Sequence, residues 1–169
     1  MAKMLLVSGC SAVGKTTFAK QFAARMQFRY LSADNFYAAV NGDERIHENK
    51  FEVWMNLYRA IYLAQEQNID VVIDANTLTM VDRDQLLGWF PKFEHHLVYI
   101  YADPELRRKN NMMRSRQVPT RAMDYMTEHV QEPVWECMDK RWLSYMKLNN
   151  VNNHFIIAEA KGERFYEQT

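Results

Sequence analysis

Cysteine is scarce in this 169-residue chain, where Cys10 and Cys137 are the only two. Two are too few for a disulfide framework or a four-cysteine structural zinc site. Glycine (5) and proline (4) are also thin, which excludes collagen-like and low-complexity classes. Neither sign of charge is in excess, because 21 Lys and Arg balance 21 Asp and Glu. With no bulk field to hold a long nucleic acid or an acidic membrane, any polyanion site must be local. Long apolar runs are missing too, since stretches such as Met4 to Val7 fall far short of the roughly 18 residues that cross a bilayer. No leader-like charged-then-apolar segment opens the chain, so the expectation is a cytoplasmic, reduced protein with no membrane partner. What is present is an ordinary globular composition, 48% hydrophobic and 25% charged, at the length of one domain over residues 1–169.

Short apolar strands alternate with amphipathic helices. Lys3 to Ser8 reads as a strand buried on both faces, and Phe28 to Leu31, Ile69 to Asp74 and His96 to Tyr101 as further strands, which favours a parallel sheet. Thr17, Phe18, Phe22 and Met26 recur at helical spacing, as do Phe51, Trp54, Met55, Tyr58, Ile61 and Tyr62, whose aromatic face is expected in the core. Asn41 to Lys50 is polar and aperiodic and reads as a loop. Val81 to Phe93 reads as a helix, and His95-His96 as the polar edge of the strand it opens. Asp103-Pro104 starts a basic helix expected to run to about Arg116; Pro119 breaks it and Thr120 can cap a second, to about Gln131. Two helices about a polar hinge suggest a lid over residues 104–132. Asn153 to Ala158 is expected as a last strand, and Pro133 to Leu148 is left unplaced.

Gly9-Cys10-Ser11-Ala12-Val13-Gly14-Lys15-Thr16 satisfies the phosphate-loop (P-loop) pattern between a strand and a helix, the context that pattern requires. Glycines let successive backbone N–H groups curl around a phosphate, Lys15 supplies a point charge, and the Thr16 hydroxyl is placed to bind Mg²⁺. Gly9, Ser11, Ala12, Val13, Gly14, Lys15, Thr16 and Thr17 are therefore the candidate ATP contacts, with Arg108 added from the basic helix. Asp74 ends a strand where a carboxylate would face the Mg²⁺ shell beside Thr16. The residue after it is Ala75, where motor and switch ATPases of this loop class commonly carry a water-activating glutamate. Asp34, 19 residues after Lys15, ends another strand and could take a proton from an attacking hydroxyl. Between Pro104 and Arg121, Arg107, Arg108, Lys109, Arg114, Arg116 and Arg121 stand against the single acid Glu105, about +5 in a neutral protein. Guanidiniums there could neutralise charge on a transferring phosphoryl group.

These motifs resemble the phosphate-loop kinases typified by polynucleotide 5′-hydroxyl kinase and its phage and bacterial relatives. The resemblance covers most of Lys3 to Pro133 and rests on Gly9 to Thr16, Leu31 to Tyr37, Val72 to Thr77, and Lys109-Asn110 with Arg114-x-Arg116-x-Val118-Pro119. It implies a three-layer α/β fold of the P-loop nucleoside triphosphate hydrolase type, a parallel sheet with helices on both faces and a small helical lid. It also implies Asp34 as general base, Asp74 as a site carboxylate and Arg114 or Arg116 as the lid arginine. Three positions depart from it. Tyr37 stands where the acceptor-phosphate arginine is usual, Ala75 interrupts the Asp-Thr-Asn signature, and Lys109-Asn110 replaces Arg-Asn; Arg45 in the preceding loop could supply the missing clamp.

The expected activity is transfer of the ATP γ-phosphoryl group to a hydroxyl, foremost the 5′-hydroxyl of a nucleic acid end. The alternatives are a small acceptor such as a nucleoside, sugar or antibiotic hydroxyl, and a nucleotide-dependent switch that transfers nothing.

Overall fold

Successive apolar residues in β1 (Lys3–Ser8) have to be buried on both sides, and the computed structural model shows how. It describes residues 1–114, 117–136 and 138–162. β1 lies inside a six-stranded sheet ordered β2-β3-β1-β4-β5-β6, with β2 at Arg29–Ser32, β3 at Val71–Asp74, β4 at Glu94–Ala102, β5 at Trp142–Val151 and β6 at His154–Gly162. The first five strands are parallel. β6 pairs antiparallel with β5 through a two-residue turn at Asn152-Asn153, both at positive φ, so the sheet is mixed at one edge.

Alternation along β1 divides the interior into two cores. Met4 and Leu6 face one cluster with α3 (Lys50–Glu66) and α4 (Met80–Trp89), while Leu5 and Val7 face the other with α1 (Lys15–Met26). Helix, sheet and helix make three layers, as expected for this fold class. α2 (Ala33–Asn41) follows β2 directly, a helix that the sequence reading did not anticipate.

The face that α3 turns inward overlaps the predicted one only in part, through Ile61 and the half-buried Trp54 and Tyr58. Val53, Leu57, Ile61 and Ala64 are buried, whereas Phe51 is 81% exposed and Met55 and Tyr62 are half exposed. Compact aliphatic side chains at i, i+4, i+8 and i+11 fit closely over the sheet, Trp54 and Tyr58 pack at its margin, and Phe51, Met55 and Tyr62 are left to solvent. His95 and His96 are not a polar edge either. Both are buried in β4, His95 Nε2 bonded to the Phe90 carbonyl at 3.0 Å and His96 Nδ1 to Ser144 Oγ at 2.8 Å. Burial lowers the pKa of both rings, His96 to about 4.

The basic helix α5 (Pro104–Met112) stops short of Arg114, and α6 spans Thr120–His129. Between them Asn111 bonds the Val118 carbonyl and amide at 2.9 and 2.8 Å. Arg116 lies outside the described residues. β5 fills the part of Pro133 to Leu148 left unplaced. No helix among the described residues is long and apolar enough to cross a membrane.

Candidate functional site

The loop from Gly9 to Gly14 leaves the carboxyl end of β1 in the middle of the sheet, the usual place for a ligand in an open α/β sheet. Gly9 and Gly14 have φ of 135° and 98°, and a Cβ on Gly9 would collide with the Ile100 carbonyl. Gly14 is the N-cap of α1 and brings no capping side chain, so the first N–H groups of that helix keep their capacity for an anion.

Every carbonyl from Gly9 to Val13 is tied by a side-chain donor. Lys15 Nζ donates to Gly9 O at 2.8 Å and Cys10 O at 2.7 Å, Arg107 Nε to Ser11 O at 3.3 Å, Asn110 Nδ2 to Ala12 O at 3.1 Å, and Asn150 Nδ2 to Val13 O at 2.8 Å. With its carbonyls held outward by α1, α5 and β5, the loop keeps one shape, and its N–H groups form a concave anion seat. Lys15 is buried and folded onto the loop. Burial pushes its ammonium below the ordinary lysine range; Asp74 and Asp34 oppose that shift and Arg114 adds to it.

Thr16 Oγ1 donates to Asp74 Oδ2 at 2.7 Å, bringing together the two residues assigned to the metal. Asp74 is buried at the last position of β3. Two hard oxygen donors at the lip of an anion seat suit Mg²⁺, which prefers a few protein oxygens, water and phosphate. Asp34 does not end β2 but occupies the first turn of α2, still at the carboxyl end of the sheet, and its charge is felt at Lys15 and Tyr30. Thr17 is exposed beside Thr16 in the first turn of α1.

The arginines separate. Arg107 is buried against the loop and also donates to Thr127 Oγ1 at 2.9 Å, joining α5, α6 and the phosphate seat, while Arg108 is exposed. Arg114 is partly buried and its charge reaches Lys15. Arg45, the suggested clamp, lies along Asp43 in an exposed ion pair. Cys10 is buried, its thiol donates to the Met126 carbonyl at 3.5 Å, and burial raises its pKa, which disfavours the reactive thiolate.

Residues that the sequence reading missed are Tyr30, whose O–H reaches Asp74 Oδ2 at 2.8 Å, and Asn150, while Arg107 and Asn110 were named in the basic helix but not as holders of the loop. Asn110 had a cue in its place beside Lys109; Asn150 and Tyr30 had none.

The chain is 26% identical over 151 residues to the L-seryl-tRNA(Sec) kinase of Methanococcus maripaludis, covering 80% of this chain and 57% of that one. It is 26% identical over 110 residues to the cytidylate kinase of Archaeoglobus fulgidus, covering 61% and 57%. It thus spans little more than half the length of these relatives. Among solved structures, a sugar kinase from Janibacter sp. HTCC2649 superposes with a TM-score of 0.65 at 17% identity, over 88% of this chain and 86% of that one. A chain of the Pnkp1/Rnl/Hen1 RNA repair complex superposes with a TM-score of 0.66 at 15% identity, over 76% and 43%. These likenesses establish the fold. A family model described as an AAA domain matches residues 4–133, the stretch that carries the loop, both carboxylates and the helix pair, and the chain belongs to that family.

Proposed function

We propose that the protein is an ATP-dependent kinase that moves the γ-phosphoryl group to a hydroxyl acceptor, foremost a polynucleotide 5′-hydroxyl. The contact between Thr16 and Asp74, beside a loop whose carbonyls are all restrained, carries the reading. The loop N–H groups and Lys15 hold the β- and γ-phosphates. Thr16 and Asp74 hold Mg²⁺, which when bound neutralises charge on the phosphate oxygens.

Asp34 accepts the proton of the acceptor hydroxyl while its oxygen bonds to the γ-phosphorus. The bond from that phosphorus to the β,γ-bridging oxygen breaks, and ADP leaves with the electron pair. Arg114 or Arg116 meets the charge on the transferring group, and the Coulombic reach of Arg114 to Lys15 supports the former. The kinase names of both curated relatives agree with phosphoryl transfer.

The basic lid segment, with Arg108, Lys109 and Arg121 exposed, supports a polynucleotide acceptor. A small acceptor is the second reading, favoured by one observation: Arg45 is engaged by Asp43 and Tyr37 is buried against His47, so neither offers the usual clamp for an acceptor phosphate.

A screen with γ-labelled ATP against oligonucleotides with free 5′-hydroxyls, nucleosides and sugars decides. Label on the oligonucleotide end is expected. Label only on a small molecule establishes the second reading, and no transfer to any hydroxyl overturns the kinase.

A further inference from the structure

Asp74 Oδ2 receives two hydroxyl donors, Thr16 Oγ1 at 2.7 Å and the Tyr30 phenol at 2.8 Å. No hydrogen bond from the described residues is made to Oδ1. A carboxylate held by one oxygen presents the other, and the Asp side chain's terminal torsion is broad enough that something must hold it. Thr16 can keep its O–H on Oδ2 while a lone pair of the same oxygen faces the metal, so its position is shared with the metal. Tyr30 has no competing task. Its ring packs against the core on the α1 side, and Lys20 Nζ lies 5.7 Å from the ring centroid. A phenol has one proton to donate, and here it goes to Asp74.

We infer that Tyr30 is a positioning residue for the metal-facing carboxylate: it pins Asp74 Oδ2 from the β2 side, alongside Thr16, so that Oδ1 stays free for the site. The inference rests on the kinase reading only in taking Mg²⁺ with ATP as the occupant. Partners that orient a metal-ligating carboxylate from behind typically contribute about 10–100-fold in metal affinity. Chemistry of this kind needs an O–H at one atom; a ring alone does not supply it.

The test uses Tyr30→Phe, which keeps the ring and its packing and removes the donor. Binding of a fluorescent ATP analogue is titrated with Mg²⁺ and repeated in EDTA, with no acceptor present. The inference predicts that the Mg²⁺ concentration at half-maximal effect rises about 10-fold, while affinity in EDTA stays within about twofold and the melting temperature hardly moves. An unmoved Mg²⁺ midpoint overturns it, as does an equal loss with and without metal, which marks a purely structural residue. Should Tyr30→Phe be less stable, the titration is repeated well below its melting temperature, where the same rise in the Mg²⁺ midpoint is expected and no rise overturns the inference. The kinase reading fails separately: wild-type protein that binds no nucleotide in Mg²⁺ defeats that reading, whereas normal wild-type binding with an unaffected Tyr30→Phe defeats only this inference.

Discussion

Asn150, at the end of β5, donates to the Val13 carbonyl at 2.8 Å across 137 residues of sequence and so ties the last free edge of the phosphate loop to the far side of the sheet. The same amide lies 2.5 Å from where a Cβ on Gly14 would sit, so the loop and the strand are fitted to each other at two points. Its carbonyl oxygen in turn accepts from the Asn153 amide at 2.8 Å, which fixes the side chain through the turn into β6. Asn150→Ala removes one net hydrogen bond, about 1 kcal/mol, and should weaken ATP binding by about fivefold. Titration calorimetry against ATP, beside a thermal melt, checks this.

Lys15→Ala is expected to do more than remove a phosphate contact. The ammonium is buried and bonded to two loop carbonyls, so its loss leaves both without a donor. With charge-assisted bonds contributing roughly 1.5–3 kcal/mol, ATP affinity should fall about 10–150-fold. A melting temperature lowered by a few degrees should accompany it, measurable by calorimetry without ligand.

Arg114→Ala should slow transfer by as much as about 10³-fold with little change in ATP affinity, if its guanidinium meets the phosphoryl group as an arginine finger does. Arg114→Lys should recover little, because an ammonium lacks the bidentate fork. Single-turnover rates on an oligonucleotide and a nucleoside distinguish this from a salt-sensitive surface contact, which lysine would restore.

Stability should fall with acid in a window set by His96. Burial and the neighbouring Lys3 and His95 hold its folded pKa near 4, against an ordinary 6.5. Between those values the unfolded chain binds more protons than the folded one, so the contribution is complete above pH 6.5 and is lost as pH falls toward 4. The ceiling is about 3 kcal/mol. Urea midpoints at several pH values should show the decline, and His96→Gln should flatten it relative to wild type.

The loop was legible because its signal is contiguous: glycines, lysine and threonine at fixed spacing between a strand and a helix. Asp74 was legible because a carboxylate closing an apolar run has few other reasons to be there. Asn150 and Tyr30 act across 137 and 44 residues, and nothing local marks a side chain whose partner is brought up by the fold; Arg107 was marked by its basic run, but not its bond to the loop 96 residues away. β5 escaped for a related reason, since its polar Lys147, Asn149 and Asn150 break the run that identified β1 and β3. In α3 two stripes share the helical period, and only packing against the sheet decides that Leu57 and Ile61 go in while Phe51 and Met55 stay out.

The central claim is hydroxyl-directed phosphoryl transfer with Asp34 as base, and its most direct test compares wild type and Asp34→Asn in single-turnover transfer of label from γ-labelled ATP, with ATP affinity measured on the same samples. The account predicts a transfer rate lower by about 10²–10⁴ with ATP affinity within a few fold. Normal transfer by Asp34→Asn, or a loss of ATP binding as large as the loss of rate, would contradict it.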